Sequence, residues 1–315
     1  MNKDNSLTEI RFLEMLYTAL GPDVTMFLDD PNVIEIMLNP DSSLWIERLG
    51  EGCIDTGKII HPANARQVIE LVARAKDAVA TKDEFPIVSA ELPGSGHRFE
   101  GVLDSVTLNP FFVIRKKAIM VFNLDDYVKK NIMTVVQKDA IIEAVYSKKN
   151  ILVAGGTGSG KTTLLNAVLN EISKTNDRIV IIEDTLELQC TAKNKVNLRT
   201  HRNVTMNDLL YSTMRLRPDR IVVGEVRGPE ALTLIKAWNT GHPGGCASVH
   251  ANSCAGALTR IESLVQEAIP NPSRGMIAEA INIIIYIEKT STGRQIKEMV
   301  SVEGFKNGEY VLKPL

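Results

Sequence analysis

The sequence predicts an α/β protein of two domains, a smaller α+β sheet domain followed by a parallel-sheet domain. Three observations predict it. The chain has 315 residues, beyond the roughly 250–300 at which single cores stop growing. Its second part holds four short, continuously apolar segments separated by helical patterns, the signature of strands buried on both faces of a parallel sheet. Its first part alternates apolar and polar residues between turn signals, the pattern of short strands joined by hairpins.

The elements follow in order. Leu7, Ile10, Leu13, Leu16 and Leu20 recur three or four apart and predict a helix over 7–20, stopped by Gly21-Pro22. Ile34, Ile36 and Leu38 alternate before the break Asn39-Pro40-Asp41, and SLWIERL then runs into the turn Gly50-Glu51-Gly52. Residues 63–79 predict a second helix with Val68, Leu71, Val72 and Ala75 inward. RFEGVLD (98–104) and FFVIRK (111–116) complete the first domain, 1–116, as two further strands. Residues 117–135 have weak periodicity and hold the polar cluster Asn123-Leu124-Asp125-Asp126, so they read as a linker. The second domain, 136–315, opens with a helix over 136–147. Its strands are ILVAG (151–155), RIVIIED (178–184), DRIVVGEV (219–226) and CASVHA (246–251). Helices start at 161 and span 206–216 and 229–240, and a hairpin around Asn307-Gly308 closes the chain.

Composition excludes several classes. Hydrophobic residues at 44% and charged residues at 23% rule out a disordered, collagenous or coiled-coil chain. The formal net charge of -2 supplies no whole-chain attraction to nucleic acid or anionic lipid, and direct sequence-specific nucleic-acid binding is not expected. The longest nearly unbroken apolar run, INIIIYI at 281–287, is far short of the roughly 20 residues that span a bilayer. MNKDNSLTEIRFLE carries charges throughout, so no signal peptide is expected. Cys53, Cys190, Cys246 and Cys254 form no C-x-x-C, and a reducing, cytoplasmic setting is the expectation.

The segment GGTGSGKTT (155–163) carries the chemistry. Gly155, Gly160, Lys161 and Thr162 satisfy G-x-x-x-x-G-K-[ST], between a predicted strand and a predicted helix. Gly155, Gly156, Thr157, Gly158, Ser159, Gly160, Lys161, Thr162 and Thr163 are therefore the nucleotide-binding candidates. Glycines let successive backbone N–H groups converge on phosphate oxygens, because no Cβ blocks the approach. The helix start adds about half a positive charge where the anion sits. Lys161 is suited to the β- and γ-phosphates of ATP, and Thr162 offers a hard oxygen to Mg²⁺. A mere glycine-rich turn is the bland alternative, but the bare pattern arises by chance in roughly one chain in a hundred, and fewer have the strand–loop–helix context.

Carboxylates at neighbouring strand ends face the same crevice. IIEDTLEL offers Glu183, Asp184 and Glu187, and VVGEVRG offers Glu225. Gly224 stands where an apolar run ordinarily ends in Asp, so Glu225 is assigned to water activation and Glu183 to metal support. A solvated strand-end carboxylate is the alternative for each. Arg98 and Arg115 lie on strands of the first domain, and Arg215, Arg217, Arg220 and Arg227 flank the third parallel strand; a guanidinium near transferring phosphate is worth about 10³–10⁵ in rate, but most surface arginines contribute little. His250 ends the fourth strand, where it can contact the γ-phosphate or the next subunit, or be a satisfied structural residue; His242 and His250 have no third ligand for zinc.

In order, GGTGSGKTT, IIEDTLEL, LRPDRIVVGEVRGPEA and TGHPGGCASVHANS resemble the Walker A, Asp, atypical Walker B and His boxes of the type II/type IV secretion ATPase superfamily. The short first domain with NPFFVIRKKA is most similar to the conjugative-transfer, TrbB-like branch, and the tetracysteine insertion of larger members is absent. The resemblance covers about residues 25–290. It implies a RecA-like P-loop NTPase domain, ATP and Mg²⁺, and a homo-hexameric ring peripheral to the inner membrane through partner components. It also implies catalytic roles for Lys161, Glu225 and His250, a metal site at Thr162 and Glu183, and phosphate contacts by Arg98 and Arg115. The implied function is ATP hydrolysis powering conjugative DNA transfer, type IV secretion or its pilus assembly. A pilus-retraction motor and a nucleotide-gated ring with little turnover are the alternatives.

Overall fold

The computed structural model describes residues 3–75, 85–117, 122–201, 203–290 and 293–315, with side chains from Ile10 onward. The chain divides into two compact units, Met1–Ile119 and Met120–Leu315.

The first unit contains α1 (Lys3–Asp29), β1 (Val33–Leu38), β2 (Ser43–Arg48), β3 (Gly52–Ile59), α2 (Pro62–Ala75), β4 (Ile87–Glu91), β5 (Arg98–Val102) and β6 (Phe111–Arg115). Its six strands form an antiparallel sheet in the order β3-β2-β1-β6-β5-β4. Leu16, Leu20, Ile36, Ile69, Phe99 and Phe112 are buried together, and the Phe99 and Phe112 rings stack with centroids 5.6 Å apart. Burying such a side chain fully stabilises by about 1.5–3 kcal/mol.

The expected stop at Gly21-Pro22 holds: Gly21, at φ 75° and ψ 169°, leaves helical space and divides α1, and Pro22 opens a second helical segment that buries Val24, Phe27 and Leu28. Proline fits there because first-turn N–H groups have no intrahelical acceptor to lose. Of the row that predicts the helix, Leu16 and Leu20 are buried, whereas Ile10 is 51% exposed. In β1 a register shift between Val33 and Glu35 turns Val33 inward in place of Ile34. Of the helix predicted over 63–79, residues 76–79 lie outside the described residues.

The second unit contains α3 (Leu124–Lys129), α4 (Val135–Tyr146), β7 (Ile151–Gly155), α5 (Lys161–Ile172), β8 (Ile179–Glu183), β9 (Lys195–Arg199), α6 (Met206–Thr213), β10 (Arg220–Val223), α7 (Glu230–Asn239), β11 (Cys246–His250), α8 (Cys254–Gln266), α9 (Arg274–Ala280), β12 (Ile283–Thr290), β13 (Gly293–Lys306) and β14 (Glu309–Pro314). The sheet runs β14-β13-β12-β7-β11-β10-β8-β9. The six strands from β12 to β9 are parallel, while β13 and β14 add antiparallel. The predicted parallel sheet is thus the core of a mixed one. Alternate residues of one strand serve opposite faces: Val180 and Ile182 pack on one side, Ile179 and Ile181 on the other.

Part of the expected linker is a helix. Asn123 caps α3, its side chain accepting from the N–H of Asp126 while the Asp126 carboxylate accepts from the N–H of Asn123. The polar cluster is therefore a capping box, and Leu124 and Tyr127 behind it are buried in the second unit's core.

Candidate active site

The glycine-rich loop joins β7, buried along its whole length, to α5. Gly158 (φ 69°) and Gly160 (φ 99°) are left-handed, a conformation that costs a side-chain-bearing residue. Gly160 is the N-cap of α5 and supplies no side-chain cap, so the first-turn N–H groups face the loop. At Gly155 a Cβ would stand 2.5 Å from the Ile287 carbonyl oxygen and would also strike Ser159 Oγ. The Ser159 hydroxyl is buried without a hydrogen-bond partner among the described residues. These features fit an anion cradle: left-handed glycines, a buried hydroxyl lacking an acceptor, and the positive end of a helix.

Lys161 is 8% exposed. Its Nζ donates to the carbonyls of Gly155 and Gly156, each at 3.0 Å, and lies 3.2 Å from His250 Nδ1. Sheet register produces that last approach, because His250 on β11 is the direct partner of Gly155 on β7. An ammonium only donates, so Nδ1 accepts and the proton of a neutral His250 sits on Nε2. That nitrogen lies 2.8 Å from Glu225 Oε1, an ion-pair distance without hydrogen-bond alignment. Desolvation, and then the charge of Lys161, hold His250 below its ordinary value and favour this neutral form.

The chain of contacts continues outward. Glu225 Oε2 accepts from Arg227 Nε at 2.9 Å, and Arg227 Nη1 lies 3.4 Å from Asp184 Oδ2. Asp184 Oδ1 accepts from the Thr200 hydroxyl at 3.0 Å. Glu183 is 3% exposed at the end of β8. Its Oε1 accepts from the N–H groups of Glu187 (2.9 Å) and Leu188 (2.8 Å), so one carboxylate oxygen orders the following turn. Gly224 has a physical reason: a Cβ there would meet Glu183 Cγ at 3.1 Å. The strand-end acid thus moves one residue on, to Glu225.

The structure brings the loop, Lys161, His250 and Glu225 together, with Thr162 and Thr163 half-buried in the first turn of α5. Arg98 and Arg115 belong to the first unit, directly opposite each other on β5 and β6, with Glu35 next in the row. Arg220 is not at the phosphate loop. It is 1% exposed and ties Asp177 (2.6 Å) to the carbonyls of Gly244 and Val145. Cys190, Cys246 and Cys254 are buried and unbridged, and burial pushes the Cys246 thiol up to about 12. Among the described residues no cluster of three or more His, Cys, Asp or Glu can hold a metal, and no helix is long and apolar enough to cross a membrane.

The type II/IV secretion system protein family matches residues 24–297. The chain belongs to this family. It is 50% identical over 305 residues to a probable conjugal transfer protein TrbB of Sinorhizobium fredii, covering 96% of this chain and 93% of that one. The conjugal transfer protein TrbB of Rhizobium radiobacter is 50% identical, with 95% and 93% covered. A type IV secretion system protein VirB11 of Bartonella henselae is 29% identical, with 95% and 96% covered. Among solved structures, the pilus retraction motor PilT with bound ADP superposes with a TM-score of 0.65 at 19% identity, covering 88% of this chain and 81% of that one. The Legionella pneumophila ATPase DotB gives 0.63 at 19%, covering 87% and 78%. At such identities these two show the fold alone. The family is that of type II/IV secretion system proteins, and the relatives matched over nearly their whole length are named for conjugal transfer and type IV secretion.

Proposed function

We propose that this secretion-family protein hydrolyses ATP and couples the turnover to conjugative transfer through a type IV secretion machine. The carrying observation is the row of close contacts Lys161–His250–Glu225, at 3.2 and 2.8 Å, at the mouth of a loop built for phosphate. Lys161, parked on two loop carbonyls, exchanges them for terminal phosphate oxygens. Glu225 takes the proton of the attacking water as the water oxygen bonds to the terminal phosphorus, the bridging P–O bond breaks, and ADP and phosphate leave. His250 and Arg227 fix the orientation of that carboxylate.

Thr162 is the residue best suited to hold Mg²⁺, with Glu183 in support, and the ion would neutralise charge on the phosphate oxygens. Arg98 and Arg115 are assigned to phosphate on family resemblance. They stand directly opposite each other on adjacent strands, with the Glu35 carboxylate beside them in the same row. A homo-hexameric ring, docked in the cytoplasm on inner-membrane components, is the assembly proposed from the same resemblance.

The test is steady-state phosphate release by the purified protein with ATP and Mg²⁺, beside Lys161→Ala. Turnover in the native protein and none in the variant supports the reading. ATP binding with background phosphate release from both refutes hydrolysis and leaves a nucleotide-gated ring. Restoration of plasmid transfer in a deletion strain by the native gene, and not by Lys161→Ala, tests the link to conjugation.

A further inference from the structure

We propose that Arg294 is a further nucleotide-binding residue, the group that grips the α-phosphate on the side of the loop away from Glu225. The proposal rests on the loop being a nucleotide cradle, as argued above.

The sheet order decides which side is which. β7, which feeds the loop, lies between β11 and β12. On the β11 side stand His250 and Glu225, so that flank faces the reacting terminal phosphate. A glycine-rich loop of this type cradles the inner phosphates with its backbone while its lysine reaches the outer ones. The β12 side is therefore where the non-reacting end of the nucleotide leaves the loop. Arg294 comes from that side, near the start of β13, where it pairs in register with Lys289 of β12.

Its guanidinium lies against the loop itself. Arg294 Nη2 is 3.4 Å from the Gly158 carbonyl oxygen, longer than an ordinary N–H···O bond. Arg294 Nε is buried and has no acceptor among the described residues. Its Cδ is 2.9 Å from where a Cβ on Gly160 would stand, so the absence of a side chain at the helix N-cap is what admits the arginine. A guanidinium carries five donors in a planar fork that matches phosphate oxygens in pairs. Here one donor is unmatched and another is poorly matched, beside a loop whose own N–H groups favour an anion. A phosphate entering the loop supplies the missing acceptors.

Arg294→Gln and Arg294→Lys in the full chain test this, by calorimetry with ADP and with a non-hydrolysable ATP analogue. The expected result for Arg294→Gln is a Kd raised about tenfold or more for both nucleotides, the scale of a lost charge-assisted phosphate contact. Arg294→Lys should recover part of the loss, because the charge remains and the fork does not. At saturating ATP, kcat should stay within about threefold of the native value, since an interaction made equally in ground and transition states moves KM alone. The unliganded melting temperature should be unchanged or higher, because the variant removes a buried donor without an acceptor. Affinities within about twofold of native overturn the proposal. So does a fall in kcat matching the fall in affinity, or a lowered unliganded melting temperature in both variants; either outcome makes Arg294 a brace of the Gly158–Gly160 turn. Should the native protein bind neither nucleotide, the cradle reading falls and this proposal with it, whereas native binding with unaffected variants removes Arg294 alone.

Discussion

Glu225→Gln isolates the proton-accepting role from the structural one. Glutamine has the same length, and its amide can keep the same place beside His250 Nε2, now 2.8 Å from Glu225 Oε1. Lys161 and the glycine loop are untouched by the change, so ATP binding should persist. What disappears is the negative charge that accepts the water proton and holds Arg227 Nε at 2.9 Å. A positioned general base contributes about 10²–10⁴ in rate, which is roughly 3–5 kcal/mol of barrier. The Glu225 side chain is only 17% exposed, so solvent will not replace it efficiently. Phosphate release at saturating ATP should therefore fall at least about tenfold, and toward the upper range if no other base substitutes. Calorimetry with a non-hydrolysable analogue should show Kd within about threefold of native. A variant with native turnover would remove Glu225 from the mechanism, and one that had lost binding would show that the carboxylate holds the site together.

Other residues make separate claims. Arg220→Met should destabilise the second unit by about 3 kcal/mol, because removing one member of a buried pair typically costs about 3–5 kcal/mol and Asp177 keeps Lys148 at 3.1 Å as a partial substitute. For a unit of this length that is a melting-temperature drop of roughly 6–12 °C by calorimetry, and a change under about 2 °C refutes the pairing argument. Because His250 in the folded protein titrates below its ordinary value, the unfolded chain takes up that proton first as pH falls. Its neutral form contributes stability that is present above the ordinary value of 6.5 and is lost as pH falls from there through the depressed one. Activity should show an acid limb in the same window, where a charged imidazole faces Lys161. His250→Asn should lack that limb, and an identical pH profile in the variant shows that another group sets it.

Local patterns carried most of the second unit. Continuous apolar runs announced β7, β8, β10 and β11, and the loop between β7 and α5 follows from glycine chemistry alone. Two strands escaped. β9 alternates half-buried and exposed residues over only five positions, and the isoleucines around β12 fit a buried helix as well as a strand. The capping box at Asn123 was written in the sequence but its polar residues resembled a linker, because spacing alone does not say whether Leu124 and Tyr127 find a core. Glu225 and His250 could be nominated as strand-end groups without any structure.

Only the folded chain made them partners, since the pairing of β11 with β7 sets His250 opposite Gly155 and hence within reach of Lys161. The fate of the arginines was decided in the same way: Arg220 went into the core, Arg227 to Glu225, and Arg294 to the loop across β12, a strand that local pattern does not single out. Residue type and short-range spacing determine which backbone conformations and chemistries are possible. Long-range strand register, governed by the burial of both sheet faces at once, determines which of those groups meet.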